Sequence, residues 1–499
     1  MNPLRNVAHR CILLAAIVLS TGVGTFVFAC GSDDTTSPGP CARPNCLDAS
    51  SDAPLANDAT PGMDAARDAP DSAVPTSCGD GGAPGTLDES FGDGGLVWLK
   101  YPGGQAFAVA AQTDGKIVVA GGLTRVGDPT VRKFALVRLL PDGTLDSSFG
   151  TVGLVEAVGL PVDTQPLRAV AIQPDGKIVT AGPAIGPGPT SMDFIVLRYN
   201  TDGSPDTTFG NAGIAVTDFG NTDDYPRSIA LQPDGKILVA GQSQTSAITS
   251  TTNFTVARYK PNGTLDDSFG SGGKVTIDMV PGTPDVGGYL ALTPGGKIVV
   301  AGSTGTVPNG IPYEMSAVRL NEDGSIDPTF ANAGKMLASF SGTGDYAAYA
   351  LVADSAGRTT LGGVFNNGGL DNFGILRLSP TGSADPTFGD GGAVTTDFPS
   401  ASGALDILLL QSDGRLLAAG NSLLGSSPTR MALTRYRANG ALDSTFGSGG
   451  RSITPSAPNT RLVAVGGVLI GCTFVTVGTW GYDLSTAAEN AIGVARYHL

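Results

Sequence analysis

A nine-residue phrase recurs seven times along this chain and limits its fold more than any other feature. "LDESFGDGG" at 87 returns as "LDSSFGTVG" at 145, "PDTTFGNAG" at 205, "LDDSFGSGG" at 265, "IDPTFANAG" at 326, "ADPTFGDGG" at 384 and "LDSTFGSGG" at 442. The starts lie 58, 60, 60, 61, 58 and 58 residues apart. A second phrase follows in each unit, clearest in "AVAIQPDGKIVTAG" (169–182) and "SIALQPDGKILVAG" (228–241). A third follows that, as in "FIVLRYNTDGS" (194–204). Asp-Gly between alternating apolar runs is a hairpin signal. Each unit therefore offers four short strands: one after the Gly-Gly, two flanking Asp-Gly, and one carrying an Arg. Four strands per period of about sixty residues match a propeller blade.

The expected fold is all-β: a seven-bladed β-propeller over 87–499 with four antiparallel strands per blade. The first unit starts with a Gly-Gly strand at 93–100, and the last ends on the Arg strand "IGVARYHL" at 492–499. The last blade then lacks an outer strand, and 93–100 supplies it, which also protects a sheet edge. The Arg recurs at 138, 198, 258, 319, 377 and 435, each eight residues before an Asp at 146, 206, 266, 327, 385 and 443. Ring closure brings Asp88 to Arg496. The expectation is one structural pair per blade (Arg138–Asp146, Arg198–Asp206, Arg258–Asp266, Arg319–Asp327, Arg377–Asp385, Arg435–Asp443 and Arg496–Asp88), the guanidinium fork gripping carboxylate or turn backbone. Seven recurring Phe, from Phe91 to Phe446, fill the space between blades, and Asp114, Asp175, Asp234 and Asp413 form turns.

The phrases "LDxSFG", "QPDGKIVVAG" and "RYNxDGS" resemble the delta-60 repeat family, tandem units of bacterial exported proteins. The resemblance spans 87–499 and implies this architecture and an exported setting; it implies no defined reaction. The N-terminus agrees with export. Arg5 and Arg10 precede the apolar run "CILLAAIVLSTGVGTFVFA", as in a secretory signal peptide over 1–29. "VFAC" at 27–30 resembles the bacterial lipobox, which implies lipidation of Cys30 and anchoring at the outer membrane or cell surface. An ordinary cleaved signal or an uncleaved anchor is the alternative. Residues 31–86 hold nine Asp against Arg43 and Arg67, with no aromatic residue, Ile or Lys. Such a stretch buries too little apolar area to offset its ordering entropy, so 30–86 reads as a disordered acidic tether.

Four further cysteines are candidates for disulfides in an exported chain. The favoured pairs are Cys41–Cys46 and Cys78–Cys472, with Cys472 as a merely buried residue the alternative. No metal set or cofactor is expected: the Cys spacing matches no zinc knuckle, and His498 is the one His beyond the signal. A net charge of −15 without a basic stripe argues against nucleic acid. A lone penultimate His is a poor catalytic base, and no catalytic set stands out.

Binding is expected on non-repeating stretches at one face of the ring, where Asp224, Tyr225, Asp345, Tyr346, Trp480 and Tyr482 are the candidates. Exposed Tyr and Trp would suit an unknown protein or glycan partner. The expected role is a non-enzymatic envelope interaction module that meets the membrane through its lipid alone. The alternatives are a propeller hydrolase or lyase using carboxylates at the central channel, or a passive envelope component.

Overall fold

The computed structural model describes residues 82–499 apart from 126–127, 158, 161–163, 186–190, 221, 246–250, 307–310, 339–345, 367–369, 399–401, 424–428, 455–460 and 482–490. All lie in the second of the two units into which the chain divides, Met63–Leu499. Cys30, Cys41, Cys46, Cys78, Asp345 and Tyr482 fall outside the described residues, as does the signal segment.

Among the described residues, 28 strands form seven four-stranded antiparallel sheets. Six sheets run in chain order from inner to outer strand. The seventh places Leu96–Leu99 beyond Ala491–His498, with Leu96 opposite Ala495 and Leu99 opposite Ile492. The last blade is thus stitched from both ends of the repeat array. The inner strands are Gln105–Ala111, Ala169–Ile172, Asp224–Leu231, Asp285–Thr293, Tyr346–Ala353, Ser402–Leu410 and Arg461–Ile470. Each touches the next, and the seventh touches the first, so the propeller closes. We number the blades 1 to 7 in that order.

The core lies between blades rather than within them. At the junction of blades 2 and 3, Val179, Phe194 and Phe209 pack against Ile237, Val239 and Tyr259. Alternate residues of a strand face opposite sides of its sheet, so a strand covered on both sides must be apolar throughout. The second strand of blade 2, Ile178–Ile185, is buried over its first seven residues. The hairpin turns follow the expected chemistry: Lys116, Lys177, Lys236 and Arg415 N–H groups donate to Asp114, Asp175, Asp234 and Asp413 Oδ1 at 3.0–3.2 Å. The following glycine takes a left-handed conformation, as Gly235 does at φ 81°. In blade 4, where "PGG" stands in place of "PDG", a 3₁₀ turn at Pro294–Gly296 substitutes. Among the described residues no helix is long and apolar enough to cross a membrane.

Residues 82–86, expected in the tether, are part of the folded body. Gly85 N–H donates to the His498 carbonyl at 2.8 Å, Gly447 N–H to the Pro84 carbonyl at 2.8 Å and Ser452 Oγ to the Gly85 carbonyl at 2.6 Å. The physical reason is repetition. In each blade the glycine or alanine after the recurring Phe donates to a turn of the next blade: Gly92 to Asp142, Gly150 to Asp202, Gly210 to Asn262, Gly270 to Asp323, Ala331 to Thr381 and Gly389 to Asn439. Pro84 fills that role for blade 6 and completes a ring of seven such bonds.

Candidate functional site

The antiparallel order gives the ring two unlike ends. One, the turn end, carries every Asp-Gly hairpin and every recurring Arg-Asp-Phe set. At the other, the loop end, inner strands begin and outer strands finish.

The turn end repeats one junction. Arg Nε donates to Asp Oδ2 at 2.7–2.9 Å in all seven blades. The guanidinium lies 4.4–4.9 Å from the centroid of the recurring Phe ring. In six blades Nη1 also reaches a carbonyl in the turn of the next blade, for example Pro261 from Arg198 and Ala438 from Arg377. In those six blades the Arg therefore grips both carboxylate and turn backbone, and so joins two blades. The sequence reading missed a second cation: the Lys or Arg after Asp-Gly reaches the same Asp, as Lys177 reaches Asp206 at 2.9 Å and Arg415 reaches Asp443 at 3.2 Å. Burial raises the pKa of Asp443. The Thr445 hydroxyl and N–H, with Arg435 and Arg415, more than reverse this and bring it to about 2. These groups are saturated with partners, which suits a scaffold.

The loop end differs from expectation. Tyr346 and Trp480 do not present exposed rings. Tyr346 opens an inner strand and packs edge-on against Phe365 at 5.4 Å; Trp480 lies in a second strand, fully buried and edge-on to Trp98 at 4.9 Å. The closure strand, which carries Trp98, covers Trp480. Asp224 is also buried, while Tyr225 is partly exposed. Cys472 is disulfide-bonded, to a partner outside the described residues.

A feature absent from the sequence reading lies on the inner strands. Six of them shift register by one residue near the loop end, leaving Phe107, Arg227, Gly288, Tyr349, Asp406 and Val465 as bulge residues. In blade 2 Arg168 holds the matching place, just before Ala169–Ile172. A bulge re-aims the extra side chain out of the sheet. The guanidinium of Arg168 lies 3.9 Å from the centroid of Phe107 in the neighbouring blade. Burial, then the like charge of Arg227, pushes its pKa down to about 9; Tyr289, Arg132 and Tyr225 are also within electrostatic reach. Groups from three other blades thus converge on Arg168, which places it toward the axis. Arg227 Nε is buried without a hydrogen-bond partner among the described residues. Arg132 Nη1 donates to Gln105 Oε1 at 3.1 Å. The Tyr225 hydroxyl donates to Asp223 Oδ2 at 3.3 Å, and burial raises its pKa.

This constellation can hold an anion. Two arginines from adjacent blades stand among aromatic rings, and among the described residues no ion pair joins either to an acid. A general-base role fits poorly, since Tyr225 is held protonated and Asp406 is the one acidic bulge residue, accepting from Asn421 Nδ2 at 2.6 Å. Elsewhere at the loop end, Asp193, Asp218 and Asp224 bring one carboxylate oxygen each within 4.8 Å of one another, a grouping the expectation of no metal set had not contained. Burial, then Asp218 and Asp223, pushes Asp193 up to about 6; burial, opposed in part by nearby Ser243 and the Phe219 N–H, pushes Asp224 up to about 7. A cleft of about 460 Å³ at the turn end, bordered by Leu154, Glu156, Pro205 and Ile214, is lined largely by repeated positions, and its Arg198 is already bonded to Asp206.

Six stretches match the model of a family described as a domain of unknown function (DUF5122) beta-propeller: 112–149, 173–209, 232–269, 294–330, 357–388 and 411–446. No curated protein matches the chain. Solved structures that align with it include virginiamycin B lyase from Staphylococcus aureus, at 11% identity over 81% of this chain and 98% of that one, with a TM-score of 0.43. The polysaccharide lyase Uly1 aligns at 12% identity over 85% and 95%, with a TM-score of 0.44. Sqt1 from Chaetomium thermophilum aligns at 12% over 81% and 97%, with a TM-score of 0.39. Identities this low say nothing about activity. What the repeats and the closed ring do establish is the class: this chain is a β-propeller repeat protein.

Proposed function

We propose that the chain is an exported, lipid-anchored envelope protein of the delta-60 repeat type whose propeller binds an anionic glycan, without catalysis, at the loop-end mouth of its channel. One observation carries the binding role: Arg168 and Arg227 approach each other at the channel with no acidic partner among the described residues, inside a protein of net charge −15. Like charges gathered without a counter-ion cost stability, and a bound carboxylate or sulfate offsets that cost through charge-assisted, fork-shaped hydrogen bonds. Phe107, Tyr225 and Tyr289 add flat apolar faces of the kind that sugar rings stack on.

The test is calorimetric titration of the full chain with uronic-acid-bearing, sulfated and neutral oligosaccharides. Acidic sugars should bind, neutral ones of equal length should not, and Arg168→Gln should weaken binding about tenfold or more. Acidic and neutral sugars binding alike, or an unchanged Arg168→Gln variant, would sink the reading.

The anchoring rests on the sequence at Arg5, Arg10 and Cys30. Labelled fatty acid should enter the wild-type chain and not Cys30→Ser. Cys78 is our choice for the partner of Cys472. Leu499 N–H bonds the Cys472 carbonyl at 3.0 Å, and Gly82, four residues after Cys78, packs against the His498 ring. A Cys78–Cys472 peptide pair should appear in unreduced digests.

A further inference from the structure

We infer that the junction of blades 2 and 3 is a calcium site, with Asp193, Asp218 and Asp224 as its protein ligands. Asp193 lies in the third strand of blade 2, Asp218 just follows its outer strand, and Asp224 opens the inner strand of blade 3. One oxygen from each falls within 4.8 Å of the others. That span fits two opposed Ca²⁺–O bonds of about 2.3–2.6 Å each, and an all-oxygen set suits a hard cation.

A second observation turns the acidic cluster into a site. Asp193 and Asp224 are 4% and 0% exposed, and Oδ1 of each is buried with no hydrogen-bond partner among the described residues. Buried carboxylate oxygens without donors are costly unless a cation or proton joins them. Among the described residues no ion pair brings a cation to Asp193 or Asp224. Lys274 Nζ donates to the Asp218 main-chain carbonyl at 2.9 Å, and Asp223 is itself acidic, accepting from Met192 N–H and the Tyr225 hydroxyl.

The molecule contains its own control. At the junction of blades 3 and 4 the register places Asn253 where Asp193 stands, with Asp278 and Asp285 in place of Asp218 and Asp224. There Asp285 is satisfied: Thr304 Oγ1 donates to its Oδ1 at 2.7 Å and Met279 N–H to its Oδ2 at 2.8 Å. Asp224 Oδ2 likewise accepts from Phe219 N–H at 2.8 Å, but the counterpart of Thr304, Ser243, lies near the carboxyl with its hydroxyl 3.4 Å from the Gln244 carbonyl, and Asp224 Oδ1 accepts no hydrogen bond among the described residues. The same position has both carboxylate oxygens bonded at one junction and one of them unbonded at the other, although Asp278 Oδ1 also lacks a partner at the first.

The experiment is calcium titration of the EDTA-treated full chain by calorimetry, with thermal melting in EDTA and in calcium. One calcium should bind per chain and raise the melting temperature. Asp193→Asn, which copies the blade 3–4 junction, should weaken binding about tenfold or more by removing a ligand charge. It should also melt higher than wild type in EDTA, because a carboxylate repulsion has gone. Asp285→Asn should leave calcium binding unchanged. The inference falls if calcium neither binds nor shifts melting, or if Asp193→Asn binds as tightly as wild type. A folding defect in that variant would show as lower melting in EDTA, and Asp224→Asn then provides the same test. None of these outcomes depends on whether the arginines bind a glycan.

Discussion

The two ends of the ring use the same ionisable chemistry to opposite effect. At the turn end every buried Asp meets an Arg, a Ser or Thr hydroxyl and, in most blades, a second cation. At the loop end Asp193 and Asp224 face other acids, while Arg168 faces Arg227. Groups surrounded by partners hold blades together; groups left facing their own sign are the ones on which the proposed anion and calcium sites rest. Charge alone therefore does not separate scaffold from site, but the state of its partners does.

The largest expected effect is at the turn end. Arg258→Met strands Asp266 inside the protein and removes the link to blade 4, so it should cost about 3–5 kcal/mol in denaturant melts. Arg168→Met at the loop end should cost less than about 1 kcal/mol, because it relieves repulsion. Equal losses would erase the contrast.

Acid and base should separate the ends next. Asp443, held at about 2, contributes stability above its unfolded pKa near 3.9, and that contribution is lost as pH falls from there toward 2. Asp285 is pushed up to about 7, chiefly by burial. Its folded form binds the proton more tightly, so stability is lost as pH rises from about 4 to 7. Asp285→Asn should therefore gain on wild type between pH 5 and pH 8, by on the order of 1–3 kcal/mol. A parallel pair of pH–stability curves would show that this carboxyl is not strained. Smallest is Asp234→Ala, which removes one turn hydrogen bond and a solvent-screened ion pair with Lys236, and should cost about 1 kcal/mol by melting.

Legibility followed repetition. Arg138, Asp146 and Phe149 sit at fixed spacing in one turn and its neighbour, so seven copies exposed their pairing and closure predicted Arg496 with Asp88. The inner-strand bulges left no such trace. Phe107, Arg168, Arg227, Gly288, Tyr349, Asp406 and Val465 share a position but not a residue type. Aligning the seven stretches before each hairpin would have marked that column as the variable one. Tyr346 and Trp480 were misjudged for the converse reason. They lie in non-repeating sequence, which reads as loop, yet each belongs to a strand, Tyr346 packing on Phe365 of the adjoining strand and Trp480 covered by the distant Trp98. The Asp193–Asp218–Asp224 set joins three elements across two blades, and nothing in its local spacing distinguishes it.

The closure strand has a consequence for how the molecule is made. Leu96–Leu99 is synthesised before blades 1 to 6, but its hydrogen-bonding partner, Ala491–His498, only after them. In the interval its polar edge stays unpaired, and blades 1 to 6 can assemble only as an open arc with two exposed rims. Such rims attract other chains. A chain interrupted before residues 491–498 should therefore aggregate rather than fold into a six-bladed form.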